Sequence, residues 1–445
     1  MNNFVIFTDV NGSVGLGRYS GPYRIATELR KNGSTVKVID FMMSFTNEEI
    51  IEVLVKNKKL NVKNIVGFSS TFLLSRDFDV YLNRTSIRDH SENSSSIGLP
   101  IEEAQELIDR IRSIGYEVMI GGSKLKYDLE NVKWIKGTAE NRFSTNFNFT
   151  ESIVEYTEED HIFENEHLPL EIARGCIFKC SFCSYDLNGK RLWEFCKSPN
   201  IIKNEMLNNY INYGTTGYMF SDDTYNDSPE KIKQLLDMYK TLPFDLEFSA
   251  YARFDLMLSK PETIPMLIES GMKSVFFGIE TFNHDSGKAI GKGMNPDRIK
   301  EGLINLKKEY PELLVCTGFI AGLPHDTEES LTDTVEWLKN SPVDSYSFQV
   351  LSLGKGSHFS NNMDAYGYKL DRNGKWYTKN LNHDIALSIA QSSETKSLSS
   401  FTFYNRLRNL DYSQKEIKYL SEKNKLDIES RKNKKINQYK GKILS

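Results

Sequence analysis

The sequence predicts an α/β chain. It has an N-terminal doubly wound parallel sheet, then a six-stranded partial (β/α) barrel, then a small, mostly helical C-terminal segment. Three observations carry this. Short apolar strand signals alternate with amphipathic helix signals over the first 140 residues, and the alternation starts afresh from residue 168. The 445 residues suggest about two to four domains. A hydrophobic share of 39% beside 26% charged residues supplies ample apolar material for cores and excludes a wholly disordered chain.

In order, residues 4–7 read as a short buried strand. Residues 25–31, after Pro22, fit a helix that Gly33 stops. Residues 35–39 form the next strand, and 47–58 a helix with apolar residues at 50, 51, 54 and 55. Strand 62–69, helix 101–114 ending at Gly115, strand 116–120 ending at Gly121-Gly122, and strand 132–135 complete the first series. The long polar stretch between Ser70 and Pro100 predicts a functional lid, with disorder as the alternative. Residues 141–167 are acidic and irregular and read as a linker. The second series has strands at 170–173, 218–221, 247–250, 274–278, 314–320 and 345–349. Helices at 231–240, 261–269, 296–308 and 327–339 lie between them. Catalytic residues are then expected at the C-terminal ends of the barrel strands. The domain boundaries are 1–140, a linker 141–167, the barrel 168–350 and the C-terminal segment 351–445.

Lys plus Arg is 56 and Asp plus Glu is 60, so the net charge is -4. That argues against a globally basic nucleic-acid binder. No apolar run approaches the roughly 18–20 residues a membrane span needs. The start, Met1-Asn-Asn-Phe-Val-Ile-Phe, has no basic region and no cleavage site, and reads as a first strand. A cytoplasmic location is expected. Residues 413–445 hold ten Lys or Arg and four Asp or Glu. They read as a solvated terminal helix or frayed tail, with an RNA- or DNA-contacting tail as the sharper alternative.

Of the five cysteines, Cys176, Cys180 and Cys183 fall within eight residues, while Cys196 and Cys316 stand apart. An odd, clustered set is a poor disulfide framework and points to metal or cluster ligation in a reducing compartment. Three thiolates on one short loop can bind three irons of a cubane cluster and leave the fourth iron open to a small molecule. Zinc is the alternative, but it prefers four ligands and no second Cys pair exists here. The spacing Cys176-Ile-Phe-Lys-Cys180-Ser-Phe-Cys183, with Phe182 before the last cysteine, resembles the cluster motif of the radical S-adenosylmethionine (SAM) superfamily.

That resemblance covers about residues 168–350 and implies further site residues. Ser221 and Asp222, at the second strand end, are the candidates for the SAM amino group. Arg253, after the third strand, is the candidate for its carboxylate. Glu280, at the fourth strand end, is expected at the methionine or ribose end and, with Arg253, in the catalytic set. Ile320 and Gly322, in Thr317-Gly-Phe-Ile-Ala-Gly-Leu-Pro324, are the candidates for the adenine. With only Cys196 and Cys316 left over, a second cubane is not expected; Cys316 reads as a buried apolar residue. Trp376 and Tyr377 either line the barrel mouth or pack it.

The first domain, Rossmann-like in its alternation, resembles the cobalamin-binding domain that precedes many radical SAM barrels. The matching pieces are Asp9-Val-Asn11, Gly21-Pro-Tyr-Arg24, Gly67-Phe-Ser69-Ser70, Gly121-Gly122 and Gly137-Thr-Ala-Glu140. Asn11, Ser69, Ser70, Gly121 and Gly122 are the candidate cobalamin contacts, at strand ends where a doubly wound sheet binds ligands. No histidine stands two residues after Asp9, so this loop offers no lower axial ligand; the domain could instead serve substrate binding. No cysteine precedes Cys176, which argues against the methylthiotransferase branch. The resemblance thus implies a radical SAM enzyme with a 4Fe–4S cluster, SAM and cobalamin. It would cleave SAM reductively to a 5′-deoxyadenosyl radical for C–H activation, and methyl transfer to carbon or phosphorus is the leading reaction. It implies an external one-electron reductant such as flavodoxin or ferredoxin. The alternatives are another radical rearrangement without cobalamin, or a non-catalytic iron–sulfur or zinc module on nucleic acid. The substrate is not legible.

Overall fold

The computed structural model describes residues 2–9, 14–73, 99–122, 129–135, 137, 139–144, 146–183, 185, 187–353, 357–393 and 401–445. Five strands open the chain: β1 (Asn2–Phe7), β2 (Thr35–Ile39), β3 (Lys63–Ser69), β4 (Glu117–Gly121) and β5 (Val132–Trp134). They form one sheet in the order β2-β1-β3-β4-β5, parallel at every pairing. Val5, Val66 and Val118 are buried at its centre, as a sheet covered on both faces requires. The order reverses between β1 and β3, so the segments after these strands flank the switch point, where ligands bind in open α/β sheets. The helix Ser20–Lys31 begins earlier than the apolar period alone predicts, and buries Tyr23, Ala26 and Leu29. The helix Asn47–Asn57 is fixed at its start by a capping box between Thr46 and Glu49. The stretch expected to form a lid lies mostly outside the described residues.

The second sheet has six parallel strands in sequential order. They are β6 (Leu168–Leu170), β7 (Gly217–Phe220), β8 (Glu247–Ala252), β9 (Met272–Glu280), β10 (Leu314–Ala321) and β11 (Ser345–Val350). Only the first strand departs from its expected place, lying at 168–170 instead of 170–173. The reason is Asp222, whose buried carboxylate accepts the backbone N–H groups of Ile172 and Ala173 and draws them out of the ladder. One face of the sheet packs on helices, as in the contact of Phe254 with Phe277, and of Phe319 with Phe282, which in turn meets Trp337. By the strand alternation and the register, Tyr251, Phe276, Gly278, Gly318, Ser347 and Gln349 share the other face.

The C-terminal segment joins the two sheets. The helix Phe401–Arg408 lies under the N-terminal ends of the barrel strands. There Asn405 donates to His167 Nδ1 at 3.0 Å, and Arg408 pairs with Glu247 at 3.0 Å. The last helix, Lys425–Leu444, is neither frayed nor wholly solvated. Ile428, Ile436, Tyr439 and Ile443 are buried in the same apolar cluster as Val5 and Val66, and Lys440 reaches back to Glu49 and the Ser44 carbonyl. The linker is pinned by Arg18. This fully buried guanidinium donates to Glu166 at 2.8 Å and to the carbonyls of Asp160 and His161 at 3.1 and 2.9 Å, and it pairs with Asp40.

Candidate active site

The three-cysteine loop leaves the C-terminal side of β6 and is held from several directions. Gly175 has φ +74°, and a Cβ there would stand 2.6 Å from Leu187, so only glycine allows the returning chain this close. The Gly189 N–H donates to the Cys176 carbonyl at 2.7 Å and to that of Phe178 at 3.1 Å. Ser181 donates to the Ala289 carbonyl at 3.1 Å, and its own carbonyl accepts the Phe359 N–H at 3.1 Å. Phe182 packs against the barrel core.

Cys176, Cys180 and Cys183 are free and partly exposed. Each sulfur has a polar neighbour from a different element. Cys176 Sγ meets Thr224 Oγ1 at 3.2 Å, Cys180 Sγ accepts from Arg253 Nη1 at 3.5 Å, and Cys183 Sγ accepts from Asn188 Nδ2 at 3.0 Å. Burial pushes the Cys183 thiol up, against the Tyr185 backbone and Asn188. Among the described residues, no three His, Cys, Asp or Glu side chains stand close enough to hold a single metal ion. The zinc alternative gains no support from that geometry. Three free thiols on one loop, each already beside a polar group, suit a cubane, whose ligands stand further apart. Cys196 lies across from Ala173, and Cys316 is buried in β10, as expected.

The other expected residues gather at the same strand ends, several of them already paired within the chain. Arg253 has little freedom to meet a carboxylate from SAM. Its Nε and Nη2 donate to Asp255 at 3.0 and 2.5 Å, and its plane lies 3.8 Å from the Phe178 ring centroid. Burial would lift Asp255, but Arg253, with Lys292, holds it below the usual carboxylate range. Asp222 is spent on the β6 exit; burial pushes it up to about 7, despite Lys231 and the Ala173 N–H. Ser221 is exposed beside it. Glu280 stands at φ 72°, a left-handed position that turns its carboxylate back over Gly278, where it pairs with Lys292 at 3.0 Å. Ile320 aligns with the exposed Gln349 in the β10–β11 register. Gly322 has φ +103°, and a Cβ there would stand 2.2 Å from Trp376, so the close approach it permits is to this chain's own indole. Trp376 is therefore packing, buried to 1%, with its N–H on the Leu351 carbonyl at 2.8 Å.

In the first sheet, Ser69, Ser70, Gly121 and Gly122 converge. A Cβ on Gly122 (φ +133°) would stand 2.5 Å from Ser70 Oγ and 3.5 Å from Ser69 Oγ. Ser70 Oγ is buried and has no protein partner among the described residues. An orphaned hydroxyl beside a glycine cradle at a switch point fits a polar ligand rim such as cobalamin's. Asn11 lies outside the described residues. The N-terminal unit is joined to the residues leading into the cysteine loop: Glu140 pairs with Arg174 at 2.6 Å, two residues before Cys176.

Sequence reasoning missed Asn188, Thr224, Asp255, Lys292 and Gln349. The spacing Arg253-Phe-Asp255 and the alternation along β11 were available signals. Asn188 and Lys292 come from loops and left none.

Residues 170–338 match the model of the radical SAM superfamily, whose cofactors are a 4Fe–4S cluster and SAM. The chain is 26% identical over 206 residues to an uncharacterized methyltransferase of Pyrococcus horikoshii, covering 46% of this chain and 44% of that one. It is 24% identical over 199 residues to the bacteriochlorophyllide d C-8(2)-methyltransferase of Chlorobaculum tepidum, 43% of each. The match thus spans less than half the length of these relatives. Among solved structures, the fold is similar to that of the radical SAM methyltransferase TsrM from Kitasatospora setae. The TM-score is 0.57 at 14% identity, over 82% of this chain and 76% of that one. It is also similar to the cobalamin-dependent radical SAM enzyme OxsB, with TM-score 0.52 at 15% identity over 82% and 56%. Among the described residues no helix is long and apolar enough to cross a membrane. The cysteine loop, the six consecutive parallel strands and the family match agree: residues 170–338 of this chain are a radical SAM domain.

Proposed function

We propose that the chain is a cobalamin-dependent radical SAM methyltransferase acting on an unreactive carbon or phosphorus centre. The observation that carries this reading is the junction at Arg174. It ties Glu140, which follows the last strand of the first sheet, to the entry of the Cys176–Cys183 loop on the second. When bound, the cluster and SAM supply one-electron bond activation and cobalamin supplies a transferable methyl group. The chain's part is holding and orienting. Cys176, Cys180 and Cys183 would bind the cluster. Exposed Ser221, Glu280 with Lys292, and Ile320 offer SAM polar and apolar contacts on the open face of the barrel. Ser69, Ser70, Gly121 and Gly122 would receive cobalamin. The Phe401–Arg408 helix closes the opposite end of the barrel and keeps water from that side. An external one-electron reductant of the flavodoxin or ferredoxin type is the partner this chemistry requires.

The test is anaerobic reconstitution followed by equilibrium dialysis with hydroxocobalamin. The wild type should take up iron and sulfide in equal amounts and bind cobalamin. Gly122→Leu should keep the iron and lose the cobalamin, because its side chain would fill the space beside Ser70. A folded wild type that binds a cluster but no cobalamin would remove the methyltransferase reading and leave the radical SAM domain.

A further inference from the structure

Two of the three cysteine sulfurs accept an N–H from a side chain that is itself locked in place. Asn188 Nδ2 stands 3.0 Å from Cys183 Sγ, and the Asn188 backbone is bridged to Cys176. Its neighbour Gly189 donates to two carbonyls of the cysteine loop, so this amide cannot swing away without unfastening the loop. Arg253 Nη1 stands 3.5 Å from Cys180 Sγ. Asp255 fixes its other edge through two hydrogen bonds, Phe178 lies against its face, and Asn226 grips its backbone on both sides, at 2.8 and 2.9 Å. The guanidinium is thus wedged between two residues of the cysteine loop, with only 8% of its side chain exposed. Thr224 differs, because its hydroxyl hydrogen goes to the Asp223 carbonyl at 2.8 Å.

Reduction adds one negative charge to an iron–sulfur cluster. N–H donors to the ligating sulfurs, and a nearby cation, stabilise the reduced state more than the oxidised one and so raise the potential. The effect of a cation is strong where solvent screening is weak, as it is for a side chain buried like Arg253. Asp255 acts in the opposite sense, since its carboxylate offsets part of the guanidinium charge from the far edge.

We propose that Arg253 and Asn188 are positioning residues that set the reduction potential of the cluster held by Cys176, Cys180 and Cys183, with Asp255 as the counterweight. The inference rests on the radical SAM reading, and the reductant is the external one-electron donor named above. Arg253 thereby gains a role that accounts for its contacts with Cys180, Asp255 and Phe178.

The experiment is a potentiometric titration of the reconstituted full-length chain without SAM, followed by electron paramagnetic resonance, with iron and sulfide measured on each sample. Arg253→Leu and Asn188→Ala should lower the midpoint at unchanged cluster content. Arg253→Lys, which keeps the charge and loses the fork, should fall between Arg253→Leu and wild type. Asp255→Asn should raise the midpoint, a sign that general loosening of the loop does not produce. If Arg253→Leu fails to retain its cluster, the opposite shifts of Asn188→Ala and Asp255→Asn decide the matter. Unchanged midpoints in variants with intact clusters overturn the proposal and leave the radical SAM reading standing. A folded wild type that assembles no 4Fe–4S cluster overturns both.

Discussion

Protonating His167 should loosen the helix that closes the barrel from below. The His167 ring lies against Gly217, where a Cβ would stand 2.2 Å from the imidazole, and its Nδ1 accepts from Asn405 at 3.0 Å. Protonation would place an N–H opposite that amide N–H and a charge in a dry site. Burial, aided by the Arg408 charge and opposed by Glu247, lowers its pKa from 6.5 to about 4. The folded pKa is depressed and the charged form is the protonated one. His167 therefore contributes stability that is present above about 6.5 and lost as pH falls toward 4. At about 1.36 kcal/mol per unit, the full loss is about 3 kcal/mol, and roughly 2 kcal/mol of it is gone by about pH 5. Urea unfolding of the wild type and of His167→Gln, at about pH 7.5 and 5, measures this. The wild type should lose about 2 kcal/mol more than the variant on acidification. Parallel losses would refute the reasoning, and would mean that burial of His167 does not hold its ring neutral in the folded state.

Cys176→Ala, Cys180→Ala and Cys183→Ala should each abolish cluster assembly, whereas Cys196→Ala and Cys316→Ala should leave the iron content of reconstituted protein unchanged. Asp222→Ala orphans the Ile172 and Ala173 N–H groups, so thermal or urea unfolding should show a loss of about 1–3 kcal/mol. A change in SAM affinity at unchanged stability would instead make Asp222 a SAM ligand. Gly322→Ala drives a methyl into Trp376 and should cost about 1–3 kcal/mol by overpacking alone; full stability would show that the indole moves aside freely. Glu280→Gln should weaken SAM binding about tenfold in calorimetry, the order expected for one charge-assisted contact, with the cluster spectrum unchanged.

The architecture was legible because burial imposes periodicity. Strands covered on both faces read as short apolar runs, and the helices between them repeat at 3.6. The cysteine loop was legible because its ligand spacing is local. What the sequence hid is long-range pairing. Nothing in Asp222 announces that its carboxylate will be claimed by Ile172 and Ala173, fifty and forty-nine residues earlier. Gly322 correctly signalled a close approach, yet the occupant, Trp376, comes from beyond the barrel. Arg253 is found by position, while its pairing with Asp255, two residues on, is not announced by either residue alone. The basic tail was misjudged for a related reason. Its ten cations dominate the composition, whereas Ile428, Ile436, Tyr439 and Ile443 recur at helical spacing and decide where it sits.

Beside the apolar core they share, the two sheets are also joined by ion pairs, and those pairs bear on the proposed chemistry. Arg24 reaches Glu171 at 3.3 Å, Arg174 reaches both Glu140 and Glu171, and Arg18 spans Asp40 and Glu166. Buried pairs of this kind add little net stability, since desolvation offsets most of their attraction. Their energy does depend steeply on geometry, because breaking one leaves an uncompensated buried charge. Apolar packing alone would tolerate some sliding; these pairs penalise it. Methyl transfer between two cofactors held on separate sheets needs a fixed distance and angle between them more than it needs a stable interface. Under the proposed function, Arg174 would serve that geometry. It leads into Gly175 and Cys176 on one side and reaches Glu140 of the N-terminal unit on the other, so a shift between the units is felt at the loop that would carry the cluster.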